Sequence, residues 1–151
     1  MSEDFEGEGI LREGEVPLAD DKVLSNEESS YFMDAINLGA ESGSIEVFGH
    51  DIEYTLLNIK KELEVAQIVS EYEGTLGRNR AYRTATVAAA VDKIDGKYIY
   101  TPTSPRDAEK IVRRKFEKFS EYYALFIEKV YEEVVKKELD LSKELLDKLS
   151  K

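Results

Sequence analysis

The stretch RNRAYRTATVAAAVDKIDG, residues 78–96, decides the fold of this chain. A face of small side chains lets a second helix approach closely. Alanines recur here at spacings of three and four residues, so a helix places them on one face: Ala81, Ala85, and Ala88 or Ala89. The stretch therefore predicts a central packing helix over residues 78–93, which ends at Asp95-Gly96.

The bulky side chains that would fill this face come from a long helix predicted downstream. Ser104 is a favourable N-cap, Pro105 suits the first helical position and Asp107 suits the first turn. An apolar stripe rich in aromatic residues then continues to Val134 and includes Lys115. Leucines at helical spacing predict a separate amphipathic tail helix in residues 139–151: Leu141, Leu145 and Leu149.

Upstream of the central helix, two runs of alternating apolar and polar residues flank Gly49-His50. This pattern predicts a β-hairpin near residues 44–57 with one buried face. The residues expected on that face are Ile45, Val47, Ile52 and Tyr54.

An amphipathic helix is predicted between the hairpin and the central helix. Asn58 is a good N-cap, and Gly74 and Gly77 end the helix. Apolar residues at helical spacing are expected to face the core: Ile59, Leu63, Ala66 and Val69.

The first 30 residues carry acids, glycines and only scattered apolar side chains. Such a composition buries too little surface to order itself, so it predicts an acidic extended arm that orders along a partner. Its expected contact points are Ile10, Leu11, Val16 and Leu18. Ser25 and Glu28 form a capping-box pattern, which predicts a short helix to Leu38.

Together these elements predict a mainly α (α+β) fold. An acidic arm over residues 1–30 precedes a small helical domain over residues 31–138, which contains the hairpin and the long C-terminal helix. No apolar run approaches the ~20 residues of a membrane span, and no secretory signal is recognisable, so no membrane role is expected.

Charge is divided unequally along the chain. Residues 1–76 hold 19 acidic and 4 basic side chains, whereas residues 77–151 hold 13 acidic and 17 basic ones. Halves of opposite sign attract each other within a molecule or between copies, and a net charge of -11 disfavours free binding to DNA. The expected partner-binding residues of the basic half are Arg78, Arg80, Arg83, Arg113 and Arg114.

The sequence contains no recognisable set of catalytic residues, metal ligands or cofactor-binding residues. Cysteine is absent, which excludes thiolate zinc sites and cysteine nucleophiles. His50 is the only histidine; the sequence identifies no fixed partner for it, and we interpret it as a tolerated turn residue. We therefore expect a protein that is not an enzyme.

The order of elements resembles that of tailed-bacteriophage tail-assembly chaperones and minor tail structural proteins. The resemblance covers residues 44–138: the hairpin, the helix ending in EYEGTLG, the helix AYRTATVAAAVDKIDG and the long aromatic helix. It implies a non-enzymatic role in virion morphogenesis, through contacts with other tail or virion proteins or with copies of itself. It also implies a location in the virion or in the host cytoplasm during assembly.

The acidic arm departs from the chaperone pattern, in which an extension is more often C-terminal, and this leaves a structural virion subunit open. The alternative is a nucleic-acid-associated or regulatory helical module that uses the basic second half. A steep salt dependence of duplex DNA binding would distinguish this alternative from the morphogenesis role.

Overall fold

A computed structural model describes residues 41–150 of the chain. The predicted arm, its four contact points and the short helix from Ser25 to Leu38 lie outside the described residues. The elements in chain order are β1 (Ser42–Val47), β2 (His50–Thr55), α1 (Ile59–Ser70), α2 (Arg78–Ala90), β3 (Val91–Ile94), β4 (Lys97–Tyr98), α3 (Pro105–Ala108), α4 (Ile111–Phe119) and α5 (Ala124–Leu149). The described part is mainly helical with one sheet, which confirms the predicted α+β class.

The predicted hairpin is confirmed as β1 and β2. The two strands are antiparallel, with Ile45 opposite Ile52 and Val47 opposite His50. The turn lies at Phe48 and Gly49, one residue earlier than expected, and both have positive φ, 52° and 82°. The four residues expected on the inner face are all buried: Ile45, Val47, Ile52 and Tyr54.

The strands form one antiparallel sheet in the order β1-β2-β3-β4, and α1 and α2 lie in the connection between β2 and β3. The prediction that the central helix continues to residue 93 was wrong. The helix ends at Ala90, and β3 pairs with β2, which places Ile94 opposite Ile52. Asp95 and Gly96 form the hairpin turn to β4, with φ of 53° and 80°. Val91 already has extended backbone angles, with φ of -78° and ψ of 128°, and the segment after it pairs with β2. Asp-Gly is a strong hairpin signal.

The central role of the alanine helix is confirmed. Ala81, Ala85 and Ala88 are buried in α2, and α2 packs against α1, α4 and α5. Phe116 and Phe119 of α4 lie in the same core, as expected for bulky partners of a small-residue face.

The single long helix predicted from Pro105 to Val134 was wrong, because the chain forms α3, α4 and α5 instead. A helix of 30 residues would extend ~45 Å, whereas the 13 residues of α2 span only ~20 Å. The helix breaks after Phe119, and both α4 and α5 contact α2. Residues 139–149 do not form a separate tail helix either, since they continue α5.

The N-cap of α1 is confirmed, but most of its predicted buried face was wrong. The Asn58 side chain accepts a hydrogen bond from the Lys61 amide at 2.9 Å. Of the expected face, only Val69 is buried, while Ile59 is 73% and Leu63 is 65% exposed. A competing stripe at the same spacing faces the core instead: Val65, Ile68, Val69 and the partly buried Tyr72.

Candidate interaction surface

Three of the predicted partner-binding arginines lie at the start of α2. Arg78 Nε lies 3.1 Å from Glu73 Oε1. Arg80 Nε lies 3.4 Å from Glu128 Oε2, and Arg83 Nη1 donates to the other oxygen of Glu128, which belongs to α5. One carboxylate therefore joins two guanidinium groups and links α2 to α5.

The other two predicted arginines lie on α4 and have their own carboxylate partners. Arg113 makes a bidentate pair with Glu71, at 3.2 and 2.5 Å. Arg114 Nε donates to Asp107 Oδ1 at 3.0 Å and also lies near Glu117. The structure thus brings Arg80 and Arg83 together on one carboxylate, while Arg113 and Arg114 each hold a different loop or helix end.

Asp107 organises the segment between β4 and α4. Its amide donates to Ser104 Oγ at 3.0 Å, which confirms Ser104 as the N-cap of α3. Its carboxylate accepts hydrogen bonds from the Tyr100 hydroxyl, the Thr103 amide and Arg114. These bonds, the Tyr100 bond first, hold the pKa of Asp107 well below its usual range.

His50 is the first residue of β2 rather than a turn residue, and it has a partner that the sequence did not identify. His50 Nδ1 lies 2.7 Å from Asp95 Oδ2, and the Asp51 amide donates to the other oxygen of Asp95. The His50 bond is the main reason that the pKa of Asp95 is lowered. The ring edge of His50 also meets Phe126 of α5, with centroids 6.0 Å apart. His50 therefore links the hairpin to the β3–β4 turn and to α5.

Lys115 belongs to the core rather than to the basic surface. Its Nζ donates to the carbonyl oxygen of Val91 at 2.6 Å, at the junction of α2 and β3. Burial lowers the pKa of Lys115 to about 8, with nearby Asp92 opposing the shift. The residue satisfies a buried carbonyl where the helix changes into a strand.

Exposed leucines mark the second half of α5. The buried residues of this helix, Ile127, Val130 and Val134, all belong to its first half. Farther along, three leucines at spacings of seven and three residues share one side, and we call them the α5 leucine face: Leu139 (63% exposed), Leu146 (66%) and Leu149 (45%). The sequence prediction grouped Leu149 with Leu141 and Leu145 and did not include Leu139 and Leu146, although the heptad spacing of these two is readable in the sequence.

A second exposed apolar strip lies on the outer side of α1 and consists of Ile59 and Leu63. Both residues were predicted to face the core, so the apolar stripe was recognisable from the sequence but the direction in which it faces was not. Contiguous exposed apolar surface is typical of protein interaction sites.

The described part of the chain contains neither of two further kinds of feature, a metal-binding cluster and a membrane-spanning helix. Residues 41–150 contain no group of three or more His, Cys, Asp or Glu side chains placed to hold a metal ion. None of the helices in that range is both long enough and apolar enough to cross a membrane.

The fold defines an α+β domain in which helices surround an alanine-rich central helix beside a four-stranded antiparallel sheet. Comparison with protein-family models, with curated proteins and with solved structures finds no match.

Proposed function

We propose that this chain is a non-enzymatic morphogenesis protein of a tailed bacteriophage. It acts through protein contacts, as a tail-assembly chaperone-like factor or as a minor tail, baseplate or neck subunit. Its partners are other tail or virion proteins and copies of itself, and it works in the virion or in the host cytoplasm during assembly. The proposal starts from the resemblance of the sequence pattern over residues 44–138 to that class of proteins. Of the elements that carry this resemblance, the structure keeps the hairpin and the first helix, and it divides the two later helices into shorter elements.

The α5 leucine face is the observation that carries the proposal. Three leucines, each at least 45% exposed, are aligned on a helix whose first half is anchored in the core. A helix of this kind presents an apolar face to a groove or to another helix, which is a common mode of protein recognition. The outer strip of α1 adds a second apolar contact.

The ion pairs of the arginines favour protein contacts over the nucleic-acid alternative. All five predicted arginines lie within 3.5 Å of a carboxylate of the same chain. Arg78, Arg113 and Arg114 each have a carboxylate partner of their own, and Arg80 and Arg83 share one, so most of the positive charge that would neutralise phosphates is offset. A gel shift with duplex DNA at low salt tests the alternative directly, and strong salt-dependent binding would favour it.

The proposal is tested by changing the α5 leucine face in the full chain. We expect Leu139→Lys with Leu146→Lys to abolish self-association or binding to the tail proteins encoded by the same phage, because two lysines cannot be buried unpaired in an apolar contact. Light scattering after size-exclusion chromatography and co-purification with those tail proteins measure the two outcomes.

The matched control is Asp140→Lys with Asp147→Lys, which introduces the same side chains on the charged side of the same segment. This control should assemble as the unchanged chain does. Equal behaviour of the two double variants, or an unchanged chain that is monomeric and binds no virion protein, would contradict the proposal.

A further inference from the structure

A cleft of about 300 Å³ lies between α2, α4 and the start of α5. This volume is at the lower end of the range typical of small-ligand sites. One wall is formed by residues on successive turns at the start of α2. The opposite wall is formed by apolar side chains that include Phe116, Phe119 and Ile127. The rings of Tyr72 and Tyr122 also line it.

Thr84 brings a polar group into this apolar setting. It lines the cleft and is only 6% exposed, yet its hydroxyl has no hydrogen-bond partner in the part of the chain that the structure describes. Thr86, two residues later on the same helix, behaves in the usual way and donates to the Tyr82 carbonyl at 2.8 Å. Buried hydroxyls are nearly always hydrogen-bonded. The unpartnered Thr84 hydroxyl therefore indicates that a polar group of a ligand enters the cleft.

Arg80 supplies positive charge at the cleft and is the one charged side chain among its described lining residues. Arg80 shares Glu128 with Arg83, so two guanidinium groups face a single carboxylate. Glu128 itself does not line the cleft. Two guanidinium groups and one carboxylate leave a net positive charge beside the cleft, which favours an anionic ligand.

The start of α2 adds to this preference. Gly77 is the N-cap of α2 and lines the cleft, and it has no side chain to cap the first amides. The first turn of α2 carries no acidic residue. Amides at a helix N-terminus attract oxyanions. Gly77, Arg80 and Thr84 follow at spacings of three and four residues, so they lie along one face of the helix.

We propose that this cleft binds a carboxylate that carries an apolar body. The carboxylate lies between Arg80 and Thr84, which are one helical turn apart, and the N-terminus of α2 at Gly77 adds positive potential from the preceding turn. The body lies against the phenylalanines of α4. Aromatic and branched aliphatic acids have this chemistry, and so does the C-terminal residue of a protein chain. The inference is independent of the proposed role in virion morphogenesis.

The test uses the full chain and isothermal titration calorimetry with a matched pair of probes. N-acetylphenylalanine should bind at least tenfold more tightly than N-acetylphenylalaninamide, which has the same ring but no negative charge. Equal binding of the two probes, or binding of neither, would overturn the proposal.

Two variants and their controls locate the site. Arg80→Gln should weaken binding of N-acetylphenylalanine about tenfold, and Thr84→Val several-fold. Arg78→Gln and Thr86→Val remove the same groups outside the cleft and should leave binding unchanged. Thr84→Val has nearly the same shape and removes a hydroxyl without a partner, so urea unfolding should show a folded chain. Unaltered binding by both cleft variants would refute the assignment.

A second pair of probes identifies the source of the carboxylate. A hexapeptide that ends in phenylalanine is compared with the same peptide amidated at its C-terminus. If the free peptide binds more tightly than N-acetylphenylalanine and the amidated peptide does not bind, the ligand is a chain terminus. If N-acetylphenylalanine binds more tightly than the free peptide, the ligand is a small organic acid.

Discussion

At the scale of single residues, Lys115 is a charged side chain that its neighbours in the sequence would place on the surface but that lies in the core. The sequence places it next to Arg113 and Arg114, whose guanidinium groups remain partly exposed in ion pairs. Lys115 is instead 7% exposed and donates to the Val91 carbonyl. A buried ammonium is costly, and this cost appears as the lowered pKa.

The lowered pKa of Lys115 predicts how stability depends on pH. The pKa is about 8 in the folded chain and 10.5 in the unfolded chain. Between these values the unfolded chain holds the proton and the folded chain does not, so the free energy of unfolding increases as pH rises. The contribution of this group across the window is ~3 kcal/mol.

Urea unfolding of the unchanged chain and of Lys115→Met, measured between pH 7.5 and 10, checks this prediction. Both chains contain tyrosines whose pKa is raised, such as Tyr54 and Tyr131, so the difference between them isolates Lys115. The difference in free energy should shift in favour of the unchanged chain as pH rises. Parallel pH profiles would show that Lys115 keeps an ordinary pKa.

At the scale of elements, α2 holds the domain together because its small side chains let three helices approach it. Ala85, Ala88, Ala89 and Ala90 are fully buried, with 0% exposure. A larger side chain at such a position has no space without movement of α4 or α5. The small alanine side chains therefore set the distance at which the neighbouring helices pack against α2.

We expect Ala85→Leu and Ala88→Leu to lower the free energy of unfolding by ~1–3 kcal/mol through overpacking. His50→Ala should cost less, because the bond to Asp95 lies at the surface, where both side chains are about half exposed. Urea unfolding of the three variants at pH 7 checks the order. Equal midpoints would contradict close packing around α2.

At the scale of the whole molecule, the core and the proposed interaction surfaces belong to different parts of the chain. The buried apolar cluster of the described residues extends from Ile45 to Val134. The α5 leucine face follows it, and the acidic first 30 residues precede it. Folding and assembly should therefore respond separately to truncation.

Deletion of residues 2–24 should leave a folded domain with a cooperative urea transition but reduce assembly with copies or virion proteins. This expectation rests on the proposed function. Since the five arginines already have carboxylate partners, the apolar residues of the arm should supply most of the affinity and its acids mainly the rate of association. Sedimentation velocity of the truncated and full chains measures the effect, and equal assembly would show that the arm makes no contribution.

Features that depend on near neighbours in the chain were predictable from the sequence. The helix caps at Asn58 and Ser104 follow from the preference of single residues. The burial of Ile45 and Ile52 follows from the alternation of apolar and polar residues along each strand. The small-residue face formed by Ala81, Ala85 and Ala88 was also predictable, whereas the burial of every side of the last turn of α2 was not. These signals act within a few residues, so they are readable from the sequence.

Where the sequence allowed two buried faces or two kinds of secondary structure, tertiary contacts decided which one forms. Helix α1 has two apolar stripes, and packing against α2 and α4 selected Val65 and Ile68 over Ile59 and Leu63. Pairing with β2 converted Val91–Ile94 from the end of a helix into a strand. The chain breaks after Phe119, and the helices on both sides of the break contact α2. Lys115 and Thr84 are buried. Each outcome depends on contacts between residues far apart in the chain. The energies of such contacts cannot be derived from the pattern of neighbouring residues.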